Sequence, residues 1–451
     1  MPGHATDPEA GRMITSRPGG LPNRVALTLC VVLLLAGCGP SPSPALPATP
    51  TGPAATVTAP IEMPVVVSVA GFVDEQTLSL LDEQIAAFEA ANSDVRVELL
   101  AVNRDAGRRQ EQFAESLAAG DGTVDVYLIS PHWLAGYEAP GWLFPLDGYA
   151  ADAGLDLDAF LPAPVQASRL EGRLMALPWN TDGGLLYYRR DLLEARGYTP
   201  PATWAELETL ALELKGDGGP ARGFVWQGDE YDGLTCNTLE QVWAEGGKAV
   251  DAGGRASFDS PETRTALERM ARFVSEGVSP ADVAGHQEAA SLADFRSGEA
   301  VFMRNWFYAW ARLQEPGSPT AGQVGIAPLP TSCLAGQSLV LSASSTVPEE
   351  AFRFMAFLVA PEQQAQLAAS GLLLPALATP YQDPDTLAQN PVLGEVYPTL
   401  LAARPRPQVA DYPRLSEAIY TEVNGLLEGS QDPAATARNV QSRLEELLGK
   451  E

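Results

Sequence analysis

The sequence predicts an α/β protein of two lobes behind a non-globular N-terminal segment. Three observations carry this. Strand and helix periodicities alternate along the body, the alternation restarts near residue 178, and the composition changes abruptly near residue 61. Residues 39–60 are nearly all Pro, Ser, Ala and Thr, without a charge. Such a stretch cannot bury enough surface to fold and reads as an extended tether. The body beyond it is too long for one ordinary core and suits two. At 45% hydrophobic and 19% charged residues, it has the balance of a soluble globular protein.

The elements follow in order. Val65–Ala70 is a short apolar run and reads as a buried strand, and Leu78, Leu81, Ile85 and Phe88 then recur at helical spacing. Val95, Val97 and Leu99 alternate as a second strand, Phe113 and Leu117 mark a helix, and residues 124–129 make a third strand. This rhythm predicts a parallel sheet. The stretch to Ala176 is loop-rich with short helices. A second set opens near Pro178 with a strand over residues 185–188 and a short helix over 190–196. Thr203-Trp204-Ala205-Glu206 is a capping box ahead of Leu207, Leu210 and Leu214. Ser260-Pro261 opens another helix carrying Leu267, Met270 and Val274. A turn through Leu292 and Phe295 ends at Gly298, ahead of a strand over 300–303. Helical faces follow at Phe352, Met355 and Val359, at Leu415, Ile419 and Val423, and after Asp432-Pro433. Ligands of open α/β sheets sit beyond the carboxyl ends of strands, so two facing lobes leave a cleft between them.

The N-terminus carries its own information. Arg17 and Arg24 precede an apolar run over residues 25–35, which ends in Leu35-Ala36-Gly37-Cys38. A basic stretch, a short apolar core and small residues form a secretory signal. The core falls short of the roughly 20 residues that a membrane-spanning helix needs. The turn at Cys38 resembles a bacterial lipoprotein signal, which implies cleavage before Cys38 and a diacylglycerol thioether on its sulfur. Translation starts at Met1 or at Met13. Of four cysteines, Cys30 leaves with the signal and Cys38 takes the lipid. That leaves Cys236 and Cys333, which invite one disulfide in an exported body. Closing that loop stabilises by about 4–5 kcal/mol in the chain-entropy model.

Other classes are disfavoured. The formal net charge of −28 opposes nucleic-acid binding. His132 and His286 sit in no cluster with the cysteines, so no metal site is expected. There is no Gly-x-Ser-x-Gly elbow and no Walker loop, and no cofactor is implied. A surface glycoside hydrolase using two carboxylates stays open as an alternative, although chance carboxylate pairs abound among 57 Asp and Glu.

Five stretches, residues 178–193, 226–236, 302–310, 327–330 and 348–383, together resemble the extracellular solute-binding proteins of sugar ABC transporters. The trehalose/maltose-binding branch is the nearest. Trp179-Asn180-Thr181-Asp182-Gly183-Gly184 and Arg304-Asn305-Trp306-Phe307-Tyr308 fall within these stretches, and it is the five in order that carry the likeness. It implies the two-lobed periplasmic-binding architecture (type II), with crossings near Leu177, Pro330 and Leu374. The expected organisation is then a signal over 1–37 and a tether over 38–61. The N-terminal lobe takes 62–177 and 331–374, and the C-terminal lobe 178–330 and 375–451.

The resemblance implies a non-enzymatic, monomeric receptor held by lipid outside the cytoplasmic membrane, at the cell surface or in the periplasm. It would capture a trehalose- or maltose-like sugar between the lobes and pass it to permease subunits; a sensory lipoprotein on the same fold is the other alternative. Trp306 and Tyr308 are implied to lie against the sugar, with Asp182 accepting from its hydroxyls. The plainer alternatives are packed core for the rings and a turn cap for Asp182. Trp310 is expected in the core. Glu75, Arg109 (or Arg108), Ser130, Asn180, Tyr231, Gly336 and Gln337 match further cleft positions. Ser130 stands where relatives have Asp, and Gln337 where they have Trp. One carboxylate and one stacking platform are thus lost, and the identity of the sugar is left open.

Overall fold

The computed structural model describes residues 63–72, 74–216 and 218–449. The signal, Cys38 and the tether lie outside the described residues.

Thirteen strands fall in three sheets among the described residues. In chain order they are β1 (Val65–Ala70), β2 (Val95–Leu100), β3 (Val126–Ile129), β4 (Arg169–Leu170), β5 (Arg173–Leu174), β6 (Leu177–Gly183) and β7 (Leu185–Arg189). Then come β8 (Arg222–Val225), β9 (Ala300–Asn305), β10 (Val324–Pro328), β11 (Ser332–Leu341), β12 (Leu374–Pro375) and β13 (Ala403–Arg404).

The first sheet runs β12-β6-β11-β3-β1-β2, with β13 beside β11. The β2-β1-β3 edge is parallel, as the alternation predicts, with helices Glu75–Ala91 and Ala106–Ala119 as the crossovers. The remainder is mixed: β11 lies antiparallel between β3 and β6 and pairs parallel with β13. The parallel pairing expected of the first three strands holds, within a mixed sheet. Ser332-Cys333-Leu334-Ala335-Gly336-Gln337 is too polar and broken to register as a strand, yet its backbone groups pair on both sides. The core of this sheet gathers Val67, Phe88, Val126, Trp179, Leu339 and Phe354.

The second sheet is β10-β7-β9-β8, with only the β8–β9 pair parallel. Its largest apolar cluster packs Trp204, Phe224, Phe273, Phe302 and Ile419. Helix Trp204–Leu214 is capped by Thr203, whose hydroxyl accepts from Glu206 N at 3.1 Å. The Glu206 carboxylate reaches back to Ala202 N at 2.8 Å, one residue beyond the usual box. Helix Pro261–Ser275 starts at Ser260, and helix Pro433–Leu448 at Asp432, as their side chains dictate. No helix among the described residues is long and apolar enough to cross a membrane.

Candidate functional site

The ends of β6 and β9 meet around one carboxylate. Asp182 is the penultimate residue of β6. β9 stops at Asn305 and the helix Tyr308–Gln314 begins at Tyr308, so Trp306 and Phe307 form an irregular turn. The Asp182 carboxylate accepts from Gly183 N at 2.7 Å and from Phe307 N at 3.2 Å. The turn-capping role is therefore real, and it brings the acid beside the aromatic turn. Two further bonds lock that turn. Tyr187 donates its hydroxyl to the Trp306 carbonyl at 2.8 Å, and Asn305 Oδ1 accepts from Trp306 N at 2.9 Å.

Burial pushes the Asp182 carboxyl up to about 7, against the opposing pull of the Gly183 and Phe307 amides and the Arg304 charge. The group thus stands near its midpoint at neutral pH, able to gain from any donor that favours its ionised form.

Beneath the Trp306 ring lies a cation. The Arg304 guanidinium carbon is 3.8 Å from the ring centroid, a close cation–π contact. Arg304 is 0% exposed and meets Glu240, 1% exposed, through two bonds of 2.6 and 3.1 Å. Its third nitrogen donates to Gln227 Oε1 at 3.1 Å. Glu240 Oε1 also accepts from Cys333 N at 2.9 Å, joining this floor to β11. Glu240 holds Arg304 above the usual guanidinium range although burial opposes the charge. Gly184 is required here, because a methyl group on it would overlap both Glu240 Oε1 and Arg304 Nη2.

Glu288, not anticipated from sequence, completes the wall. It opens helix Glu288–Arg296 and accepts from Trp306 Nε1 at 3.1 Å. It also acts on two phenols: burial first, and then the Glu288 charge, raises both Tyr231 and Tyr308. Tyr308 is 40% exposed, a large aromatic left toward solvent. Trp310, by contrast, packs on an apolar cluster, as expected.

A second group sits across the β6–β11 pairing. Asn180 and Gln337 are register partners. Asn180 Oδ1 accepts from Gln337 N at 3.0 Å, and Asn180 Nδ2 donates to Gln337 Oε1 at 3.2 Å. Gly336, at φ +101°, leaves no room for a side chain against the Asn180 carbonyl and Thr181. It shapes the strand.

The remaining expected residues are less closely joined. Arg109 is buried and Arg108 exposed. Its Nη1 donates to the Asn103 and Arg104 carbonyls, both at 2.9 Å. Ser130 is half-buried after β3, its carbonyl accepting from Trp133 N. Glu75 is exposed at the start of its helix. Neither Ser130 nor Glu75 is among the hydrogen-bond partners of Asp182, which are Gly183 N and Phe307 N. Cys236 and Cys333 are buried neighbours with their sulfurs 2.7 Å apart, and the disulfide expected between them is not shown. No cluster of metal ligands occurs among the described residues.

Two features escaped sequence reasoning. Glu288 lies 18 positions from Trp306 with nothing local to mark it. Arg304 did carry a signal, a charge inside the wholly buried strand β9, since a buried charge demands a partner. Glu240 supplies that partner from 64 residues away.

Residues 74–365 match the family model described as bacterial extracellular solute-binding protein. The chain belongs to this family. As a solute-binding protein it is not an enzyme. It is 32% identical over 372 residues to a probable ABC transporter-binding protein of Deinococcus radiodurans, covering 78% of this chain and 87% of that one. A mannitol-binding protein of Pseudomonas aeruginosa is 26% identical over 220 residues, 48% of this chain and 49% of its own. The structure of maltose-bound MalE3 from T. maritima superposes with a TM-score of 0.75 at 34% identity, over 85% of this solute-binding protein and 100% of that chain. The α/β architecture is thus the periplasmic-binding fold.

Proposed function

We propose that this solute-binding protein captures an uncharged saccharide between two lobes and delivers it intact to an ABC permease. The observation that carries the reading is the pairing of Asp182 with the Trp306 turn through Phe307 N. It sets a carboxylate that accepts hydroxyl protons beside an indole that packs on sugar C–H faces. Glu288 borders the ring and acts on the Tyr231 and Tyr308 phenols, and Asn180 and Gln337 offer amides on the neighbouring strands. The maltose carried by the T. maritima structure supports a disaccharide, and the transporter role of the Deinococcus protein supports the permease partner.

In this reading the lobes take 62–177 with 331–374 and 178–330 with 375–451. Ligand touches both, so binding favours the closed form by its preference for that form. Cys38 carries the lipid anchor at the end of the tether. Two acyl chains hold far more firmly than one, each gaining about 0.8 kcal/mol per buried methylene. The adjacent Cys236 and Cys333 thiols pair once the protein reaches an oxidising compartment.

Calorimetric titration with a panel of sugars and alditols tests the reading. The expected outcome is saturable, one-to-one binding of a disaccharide without turnover. Trp306→Ala is expected to weaken it at least about tenfold with the melting temperature retained. Unchanged affinity would remove Trp306 from the site.

A further inference from the structure

Phe72 is an aromatic ring that the hydrophobic core does not claim. It follows β1 at its carboxyl end, the edge at which open α/β sheets hold ligands. It is half-buried, yet among the described residues it belongs to none of the five apolar clusters. Its neighbour is instead a cation: the Arg109 guanidinium lies 5.0 Å from the Phe72 centroid and 5.6 Å from that of Trp133. Arg109 is itself fixed by the Asn103 and Arg104 carbonyls, so the ring rests on an immobile base.

A chain of contacts runs from Phe72 to the site. Gln337 Nε2 donates to the Phe72 carbonyl at 2.9 Å, and Gln337 is bonded to Asn180 in both directions. Asn180 precedes Asp182 by two residues on β6, and the Asp182 carboxylate holds the Trp306 turn. Gln337, which stands where the resembling proteins carry Trp, thus gives up a ring of its own and props the backbone of another. The arrangement repeats on the first sheet what Arg304 and Trp306 make on the second: an aromatic face backed by a buried guanidinium.

We infer that Phe72 is a second stacking platform of the solute site, contributed by the first sheet, and that it selects solutes with a ring face over open-chain alditols. This rests on the saccharide reading above. A pyranose offers a flat patch of C–H groups to an aromatic face, whereas a flexible alditol must freeze several torsions to present one.

The test is calorimetric titration of maltose and of mannitol into the wild type, Phe72→Leu and Phe72→Trp, with melting temperatures measured alongside. Leucine keeps the apolar bulk and removes the aromatic face. The expected result is that Phe72→Leu loses about tenfold in maltose affinity at an unchanged melting temperature, and that Phe72→Trp stays within about threefold of the wild type. Maltose affinity unchanged in Phe72→Leu overturns the inference and leaves the saccharide reading standing. A wild type that prefers mannitol to maltose overturns the inference and the disaccharide reading with it. A wild type that binds no saccharide or alditol overturns both.

Discussion

Two buried arginines, Arg304 and Arg406, are built differently. Arg304 is fully enclosed, and its three side-chain nitrogens donate to Glu240 and Gln227. Arg406 is almost as buried, but its Nε has no partner, and Asp232, the acid it meets, is 41% exposed. Asp232 also accepts from Tyr412 and Ser416, at 2.7 and 2.8 Å. His132, from the turn after β3, approaches Asp232 to 3.9 Å and packs its ring, tilted, on Tyr412 at 4.7 Å between centroids, with its Nδ1 unpartnered. The difference teaches what each cluster is for. A closed, saturated pair makes a rigid floor under Trp306. A cluster with orphaned donors and a wet carboxylate, reached from the first sheet, is a contact that can part at lower cost.

The largest expected effect breaks the first cluster. Glu240→Ala leaves Arg304 buried and uncompensated, and should cost about 3–5 kcal/mol in urea denaturation. Saccharide affinity should fall with it, because the floor of Trp306 is no longer held. A loss below about 1 kcal/mol would show that the pair is not the rigid element.

Asp232→Ala should cost less, about 1–2 kcal/mol, since its carboxylate is partly screened by water. Its pH signature separates it further. Burial raises the Asp232 carboxyl, but Arg406 and then His132, with the Tyr412 and Ser416 hydroxyls, together hold it below the ordinary carboxylate range. A depressed acid stabilises the fold above its unfolded value, near 3.9, and that stability drains away as the pH falls. The wild type should therefore lose more stability than the variant on acidification to about pH 3. Equal losses in Asp232→Ala and Glu240→Ala would erase the distinction between the clusters.

How much of this was legible follows from what a sequence encodes locally. β1 and the caps at Thr203, Ser260 and Asp432 are decided within a few residues, and they stand out in the chain. The sheet order is decided by β11, whose pairing joins Gln337 to Asn180 across 157 residues. No periodicity reports such a partnership. At the site, Asp182 and Trp306 were visible through their motifs, and the Gly183-Gly184 pair pointed to close approach. Glu288 and the Arg304–Glu240 bond were not, since each is an encounter of distant residues. The contacts of Arg109, beneath Phe72 and with its Nη1 bonded to backbone carbonyls, were not legible either.

The smallest effect sharpens the comparison at the solute itself. With its carboxyl at about 7, Asp182 is half protonated at neutral pH. A sugar hydroxyl that donates to it stabilises the ionised form alone, so binding must release a proton whenever the acid starts protonated. Affinity should then rise with pH and level off above the midpoint. Between pH 6.5 and 7.5 the ionised fraction, and with it the affinity, grows about threefold. Calorimetry in buffers of different ionisation enthalpy counts the released proton directly. Asp182→Asn keeps an acceptor oxygen and removes the titration, so its affinity should be flat over the same interval. A wild-type affinity that falls as the pH rises would mean that Asp182 donates to the solute instead of accepting from it. The Trp306 turn would then be held by a neutral acid, leaving Arg304–Glu240 as the one charged pair beneath the site.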